Sequence, residues 1–130
     1  MEKTDLRIVI VDDNQDALSS LGALVRLGGF SVVGQILEPT GALEHITKER
    51  PQVVILDIGM PLLDGYTLAR RIRAQVVPAP RLIAVTGYGT EGDKQQARII
   101  GFDAHFTKPV EWPKLEALLV SYVHSVEASG

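Results

Sequence analysis

The stretch VVILDIGMPLLDGYTLARRIR, residues 53–73, shows how this chain is organised. It opens with an unbroken apolar run, residues 53–56, which is typical of a strand buried on both faces in a parallel sheet. It closes with Leu68 and Ile72, whose spacing places them on one face of a helix. The stretch therefore predicts a strand followed by a helix, with Asp57 at the end of the strand.

The same unit recurs on both sides of this stretch. Ile- and Val-rich or otherwise apolar runs occupy residues 6–11, 30–36, 53–56, 82–85 and 104–106. Segments with helical spacing follow each run and begin near Asn14, Thr40, Gly65, Thr90 and Pro113. Strand and helix thus alternate five times, which predicts a doubly wound α/β fold with a parallel sheet.

The bulk composition narrows the class of protein. A length of 130 residues suits one domain, residues 1–130, with a core of about 6–126. The chain has no cysteine, which excludes disulfides and thiolate metal sites, and its net charge of −3 argues against nucleic-acid binding. No apolar run approaches the roughly 20 residues that span a bilayer, and the first residues lack the apolar region of a signal peptide. We therefore expect no membrane insertion and a cytoplasmic location.

Chemically active side chains are concentrated where the predicted strands end. Asp12 and Asp13 follow the first strand, Asp57 the third, Thr86 the fourth and Lys108 the fifth. Ligands of open α/β sheets bind beyond the carboxyl ends of the strands, so these residues are expected to meet at one edge. Each alone would be an ordinary turn former or surface charge, and only their joint placement indicates a site.

Three neighbouring carboxylates repel one another, so either some are protonated or a divalent cation binds among them. Oxygen ligands without His or Cys favour Mg²⁺, Mn²⁺ or Ca²⁺, and a site with room for water and phosphate suits Mg²⁺ best. With a cation beside Asp57 and the ammonium of Lys108 opposite, a phosphoryl group would be accepted there. Asp57 is then the expected nucleophile, and Thr86 can donate a hydrogen bond.

Four stretches together resemble the receiver domain of bacterial response regulators over nearly the whole chain. They are IVIVDDNQDAL, VVILDIGMPLLDGYTLARRIR, LIAVTGYG and GFDAHFTKPV, at residues 8–18, 53–73, 82–89 and 101–110. The resemblance implies a flavodoxin-like fold of five parallel strands in the order 2-1-3-4-5. It is strongest to receivers that are attached to hybrid histidine kinases or stand alone beside them.

The resemblance also implies roles for the residues around the nucleophile. Asp57 is similar to the aspartate that is phosphorylated. Asp13 is similar to a direct Mg²⁺ ligand, and Asp12 to one that acts largely through water. The backbone carbonyl of Gly59 matches the family's main-chain metal ligand.

Further roles follow for residues on the neighbouring strand ends. Thr86 matches the family's switch hydroxyl, and Lys108 the ammonium that pairs with the phosphoryl oxygens. Pro109 matches a proline whose preceding peptide bond is usually cis. Pro61 and Gly65 are expected to shape the loop after the nucleophile.

One position departs from the family pattern. His105 stands where the family has the Tyr or Phe that follows the switch hydroxyl, and Phe106 points to the other face of the strand by parity. Either the imidazole takes over the aromatic relay, or His105 is a half-buried ring with an ordinary hydrogen bond. Near the site, Tyr88 rather than Gly59 is expected to set the lifetime of the phosphorylated state.

The implied partner is a sensor histidine kinase or a histidine phosphotransfer protein, whose phosphohistidine supplies the phosphoryl group. The implied output is a change in the surface formed by the fourth helix, fifth strand and fifth helix, which can also support a homodimer. We do not class such a chain as an enzyme, because it catalyses only its own phosphorylation and dephosphorylation.

Three other functions fit the sequence less well. A phosphatase of the haloacid-dehalogenase type needs two aspartates separated by one residue, whereas Asp12 and Asp13 are adjacent. A flavodoxin-like carrier of FMN needs a phosphate loop rich in glycine and hydroxyls after the first strand, where this chain has acidic residues. A degenerate receiver that only binds other proteins is disfavoured because all five site residues, Asp12, Asp13, Asp57, Thr86 and Lys108, are present.

Overall fold

A computed structural model of the chain describes residues 1–59, 65–87 and 91–129. Strands and helices alternate within these residues, as the sequence predicts. The strands are β1 (Arg7–Val11), β2 (Ser31–Ile36), β3 (Val53–Asp57), β4 (Arg81–Thr86) and β5 (Ala104–Thr107). The α-helices are α1 (Gln15–Leu27), α2 (Ala42–Glu49), α3 (Gly65–Gln75), α4 (Glu91–Ile100) and α5 (Trp112–Ser129), and short 3-10 helices cover Lys3–Asp5 and Pro39–Gly41.

The strands form one parallel sheet in the order β2-β1-β3-β4-β5. This confirms the fold class and the strand order that the resemblance implied. Val11, the last residue of β1, lies opposite Leu56, the residue before the last one of β3. The residues that follow these two, Asp12 and Asp57, are therefore neighbours at the carboxyl edge.

Alternate residues of the central strands contribute to two separate cores. Val53 and Ile55 of β3 face the side covered by α1 and α5, whereas Val54 and Leu56 face the side covered by α2, α3 and α4. All four side chains are at most 1% exposed. Each such burial contributes about 1.5–3 kcal/mol, so both faces of the sheet stabilise the position of its central carboxyl edge.

The two edge strands differ from the prediction of burial on both faces. Every residue of β3 is buried, but β2 is half-buried along nearly all its length, and β5 is half-buried with an exposed end. The prediction that the apolar run at residues 30–36 forms a strand buried on both faces is therefore wrong. An edge strand has a neighbour on one side only, so water reaches its outer flank.

Helix α1 begins where the sequence indicates, directly after Asn14. The side-chain oxygen of Asn14 accepts the Ala17 N–H at 3.0 Å, which caps one of the free N–H groups of the first turn. Gly28 closes the helix, and Gly29 continues with a φ of 95°, a conformation that favours glycine. Since Asn14 follows the acidic pair directly, this cap fixes the loop that carries Asp12.

Helix α5 buries an apolar stripe against the sheet. Leu115 and Leu119 are fully buried against the sheet, and Tyr122 is 6% exposed. In the part of the chain that is described, no helix has the length and apolarity needed to cross a membrane.

Candidate functional site

The acidic residues meet at the carboxyl edge of β1 and β3. One carboxylate oxygen from each of Asp12, Asp13 and Asp57 lies within 4.8 Å of the others. Asp12 and Asp57 are 6% and 7% exposed, and Asp13 is exposed to solvent. The structure therefore brings together three of the predicted residues, with two of them largely removed from water.

Lys108 lies against the two buried carboxylates. Its Nζ is 2.9 Å from Asp12 Oδ2 and 3.2 Å from Asp57 Oδ2. It reaches them because Lys108 follows β5 directly and its backbone N–H donates to the Thr86 carbonyl at 2.7 Å. One ammonium thus bridges two strand ends that are far apart in sequence.

Burial and the contacts within the site change the pKa values of Asp57 and Lys108. Burial raises the pKa of Asp57, and the nearby Asp12 raises it further, although the Gly59 N–H and Lys108 act in the opposite direction. Partial burial lowers the pKa of Lys108, but its hydrogen bonds and charge contacts with the two carboxylates outweigh this, so that its pKa is raised. The cluster carries excess negative charge that a single ammonium does not balance.

The backbone after Asp57 is folded tightly around the Asp57 carboxylate. The Gly59 N–H donates to Asp57 Oδ1 at 2.8 Å, which orients that carboxylate. A Cβ at Gly65 would lie 2.5 Å from Ile58 Cα and 2.9 Å from the Asp57 carbonyl oxygen. Gly65 therefore lets α3 begin directly against the Asp57 backbone. Pro61, the other residue expected to shape this loop, lies outside the described residues.

Thr86 and His105 occupy the next two strands. Thr86 is 3% exposed at the end of β4, beside the strand that carries Lys108. His105 lies opposite Ala84 and lines a cleft of about 290 Å³ against α4, whose walls include Lys94 and Arg98. The position of His105 fits either interpretation given above, and its role in switching stays a prediction.

Phe106 is partly buried and packs against the core on the α1 and α5 side, as its parity in β5 predicts. The peptide bond between Lys108 and Pro109 is cis. Tyr88 lies outside the described residues, so its proposed effect on lifetime stays a prediction. The carbonyl of Gly59 as a metal ligand also stays a prediction.

The donor set fits a hard divalent cation. It consists of three carboxylates with no thiol or imidazole among them, and oxygen donors of this kind suit Mg²⁺. When ionised, Asp12, Asp13 and Asp57 carry three negative charges and Lys108 carries one positive charge. The two negative charges that remain are compatible with a divalent ion. Of these residues, Asp13 is the most accessible to an incoming ion because it is exposed.

Comparison with known proteins agrees with this geometry. The family model described as response regulator receiver domain matches residues 8–120. The transcriptional regulatory protein PrrA of Mycobacterium tuberculosis is 32% identical over 114 residues, which cover 88% of this chain and 48% of that protein. This chain therefore spans about half the length of PrrA.

Two further similarities concern proteins of nearly the same length as this chain. Sporulation initiation phosphotransferase F of Bacillus subtilis is 29% identical over 117 residues, covering 90% of this chain and 93% of that protein. The crystal structure of a CheY-like receiver domain protein from Methanospirillum hungatei superposes with a TM-score of 0.82 at 26% identity, covering 95% of this chain and 98% of the other.

Proposed function

This chain belongs to the response regulator receiver domain family of two-component systems, and from that premise we propose that it accepts a phosphoryl group on the carboxylate of Asp57. The observation that supports this most strongly is the contact of Lys108 Nζ with Asp57 Oδ2, at 3.2 Å, beside a cluster of three carboxylates. An ammonium at the nucleophilic oxygen and a cation site next to it are what a transferred phosphoryl group requires.

The proposed donor is a phosphohistidine of a sensor histidine kinase or of a histidine phosphotransfer protein. An Asp57 oxygen attacks phosphorus and forms the new P–O bond as the P–N bond breaks. The electron pair of the P–N bond returns to the donor ring nitrogen, and the imidazole leaves neutral because its other nitrogen carries a proton. Asp57 ends as a mixed carboxylic–phosphoric anhydride, with no oxidation or reduction.

The chain's own residues prepare Asp57 for this step. The Gly59 N–H holds Oδ1, which leaves the other carboxylate oxygen on the side of Lys108. The Lys108 ammonium would neutralise an equatorial oxygen of the phosphoryl group. Mg²⁺ held by Asp12, Asp13 and Asp57, with the Gly59 carbonyl, would supply charge neutralisation for the other oxygens.

We further propose that the Thr86 hydroxyl donates a hydrogen bond to the phosphoryl group and that the surface of α4, β5 and α5 changes in response. His105 would act with Thr86 as a switch residue in this change. This surface would contact the output partner or a second copy of the chain. The proposal does not make the chain an enzyme, because no outside substrate is turned over. A cytoplasmic location and a single domain over residues 1–130 stay predictions.

The test uses a small phosphodonor in place of the unknown kinase. The chain is incubated with acetyl phosphate and Mg²⁺ and its intact mass is measured, in parallel with Asp57→Asn and with Asp16→Asn as a matched control. Asp16 is an exposed aspartate in the first turn of α1. We expect a gain of one phosphoryl group in the wild type and the control, and none in Asp57→Asn or in EDTA. Equal gain in Asp57→Asn would remove the proposal.

A further inference from the structure

A cavity of about 480 Å³ adjoins the acidic site on the face of the sheet covered by α1 and α5. Its floor is formed by Ile10, Ile55 and Val85, side chains that the central strands direct toward this face. All three are at most 4% exposed, so the cavity reaches the sheet itself. Its volume lies within the roughly 300–1,000 Å³ of typical small-molecule sites.

Short side chains on α1 leave this space open. Ala17 and Ser20 line it from the helix, and Val110 lines it from the segment after β5. Leu21 and Leu24 of the same helix also line the cavity, and longer side chains at Ala17 and Ser20 would occupy part of its space. The walls are otherwise apolar, so the body of a ligand here must be apolar as well.

The end of the cavity at the carboxyl edge of the sheet is polar and negatively charged. Asp12, Asp57 and Lys108 line it. Two carboxylates face one ammonium, which leaves one excess negative charge within the cavity, and exposed Asp13 adds to the field. A cationic group is therefore favoured at this end, and an anionic group is repelled.

The carboxylates keep acceptor capacity for such a group. Among the described residues, Asp12 accepts the Asn14 N–H and Lys108, and Asp57 accepts the Gly59 N–H and Lys108. A carboxylate offers about four acceptor positions, so each retains room for a further donor. An ammonium or amidinium group has the donors and the charge to use them.

We propose that this cavity binds a small amphiphilic amine, with its apolar body between α1 and Val110 and its cationic group at Asp12 and Asp57. Such a ligand and a divalent cation would compete for the same negative charge, so each would weaken the binding of the other. Binding of the amine does not depend on the proposed phosphoryl transfer. Inhibition of that transfer by the amine would follow only if Asp57 is the phosphoacceptor.

The experiment compares three probes of the same shape and different charge. The unphosphorylated full chain in EDTA at pH 7 is titrated with 2-phenylethylamine, 2-phenylethanol and 3-phenylpropanoate, and amide chemical shifts are followed by NMR. We expect the amine to bind about tenfold or more tightly than the alcohol, as a charge-assisted hydrogen bond would give. The carboxylate should not bind measurably, and adding Mg²⁺ should weaken amine binding.

Two substitutions on the same helix locate the site. Ala17→Leu fills the cavity and should reduce amine affinity about tenfold or more, whereas Ala23→Leu adds the same side chain at an exposed position and should leave it unchanged. Circular dichroism melting checks that each variant folds, and Ser20→Leu replaces Ala17→Leu if that variant does not fold.

Three results would overturn the proposal. If the alcohol binds as tightly as the amine, the cavity takes neutral apolar groups, such as a side chain of a partner protein. If a folded Ala17→Leu variant retains the affinity, the amine binds elsewhere, and if no probe binds, there is no such site. Because these titrations use metal-free, unphosphorylated protein, they fail or succeed separately from the acetyl phosphate experiment.

Discussion

Replacing Lys108 with methionine removes the ammonium that bridges the two buried carboxylates while keeping most of the apolar stem. The lost contacts are 2.9 Å to Asp12 Oδ2 and 3.2 Å to Asp57 Oδ2. At an effective dielectric constant of about 20, each corresponds to roughly 5 kcal/mol of gross attraction. The desolvation of the ammonium offsets most of this, and the Lys108 side chain is 30% exposed, so we expect a net loss of about 2–3 kcal/mol.

The assay is urea unfolding at pH 7 in EDTA, with Lys114→Met as the matched control. Lys114 pairs with Glu111 at 3.1 Å, but the two side chains are 70% and 67% exposed, so its removal should cost about 0–1 kcal/mol. The loss in Lys108→Met should shrink at acid pH, because protonation of the carboxylates relieves the repulsion that Lys108 normally balances. It should also shrink when Mg²⁺ is added.

Equal loss of stability in Lys108→Met and Lys114→Met would refute this reasoning. It would mean that the ammonium does not hold the acidic edge together and that the repulsion between the carboxylates is relieved in another way. A loss that stays the same at acid pH would point instead to packing of the Lys108 stem.

Three further predictions concern single positions. Asp57→Asn should stabilise the chain by about 1 kcal/mol at pH 7. The pKa of Asp57 is raised in the folded state, so the stability associated with its carboxyl is present below the ordinary pKa of 3.8 and is lost as pH rises. The gain in stability, measured by urea unfolding, should therefore vanish in acid. Gly65→Ala should cost about 2–3 kcal/mol in the same assay, since its Cβ would lie 2.5 Å from Ile58 Cα, whereas Gly41→Ala, with no atom within 4 Å, should change stability by less than about 1 kcal/mol. Burial raises the pKa of Tyr122 to about 12, so the phenol absorbance should titrate there. The stability that Tyr122 contributes below its ordinary pKa of 10.0 should be lost as pH rises through about 12. A titration midpoint near 10.0 would contradict the burial of the ring.

The sequence predicts the acidic edge well because it depends on short-range rules. Apolar runs indicate the strands, and the carboxyl ends of parallel strands always share one edge of the sheet. Asp12, Asp57 and Thr86 come within one residue of their strand ends, so their meeting follows from the fold alone. The limits of α1 follow from Asn14 and Gly28 for similarly local reasons.

Other features depend on contacts that no local pattern encodes. The Lys108 ammonium bridges both buried carboxylates, and this contact depends on how far β5 extends beside β4. The half-burial of β2 depends on its place at the sheet edge, although its residues resemble those of a central strand. The cavity beside α1 lies between Ala17 and Ser20 on one side and Val110 on the other. The distance between these residues cannot be read from the sequence.

The most direct test of phosphorylation at Asp57 is to locate the phosphoryl group on the chain. After incubation with acetyl phosphate and Mg²⁺, borohydride reduces an aspartyl phosphate to homoserine, and peptide mass spectrometry then identifies the converted residue. We predict conversion at Asp57 alone. Conversion at Asp12 or Asp13 with Asp57 intact, or a stable phosphate on a hydroxyl side chain, would contradict the account.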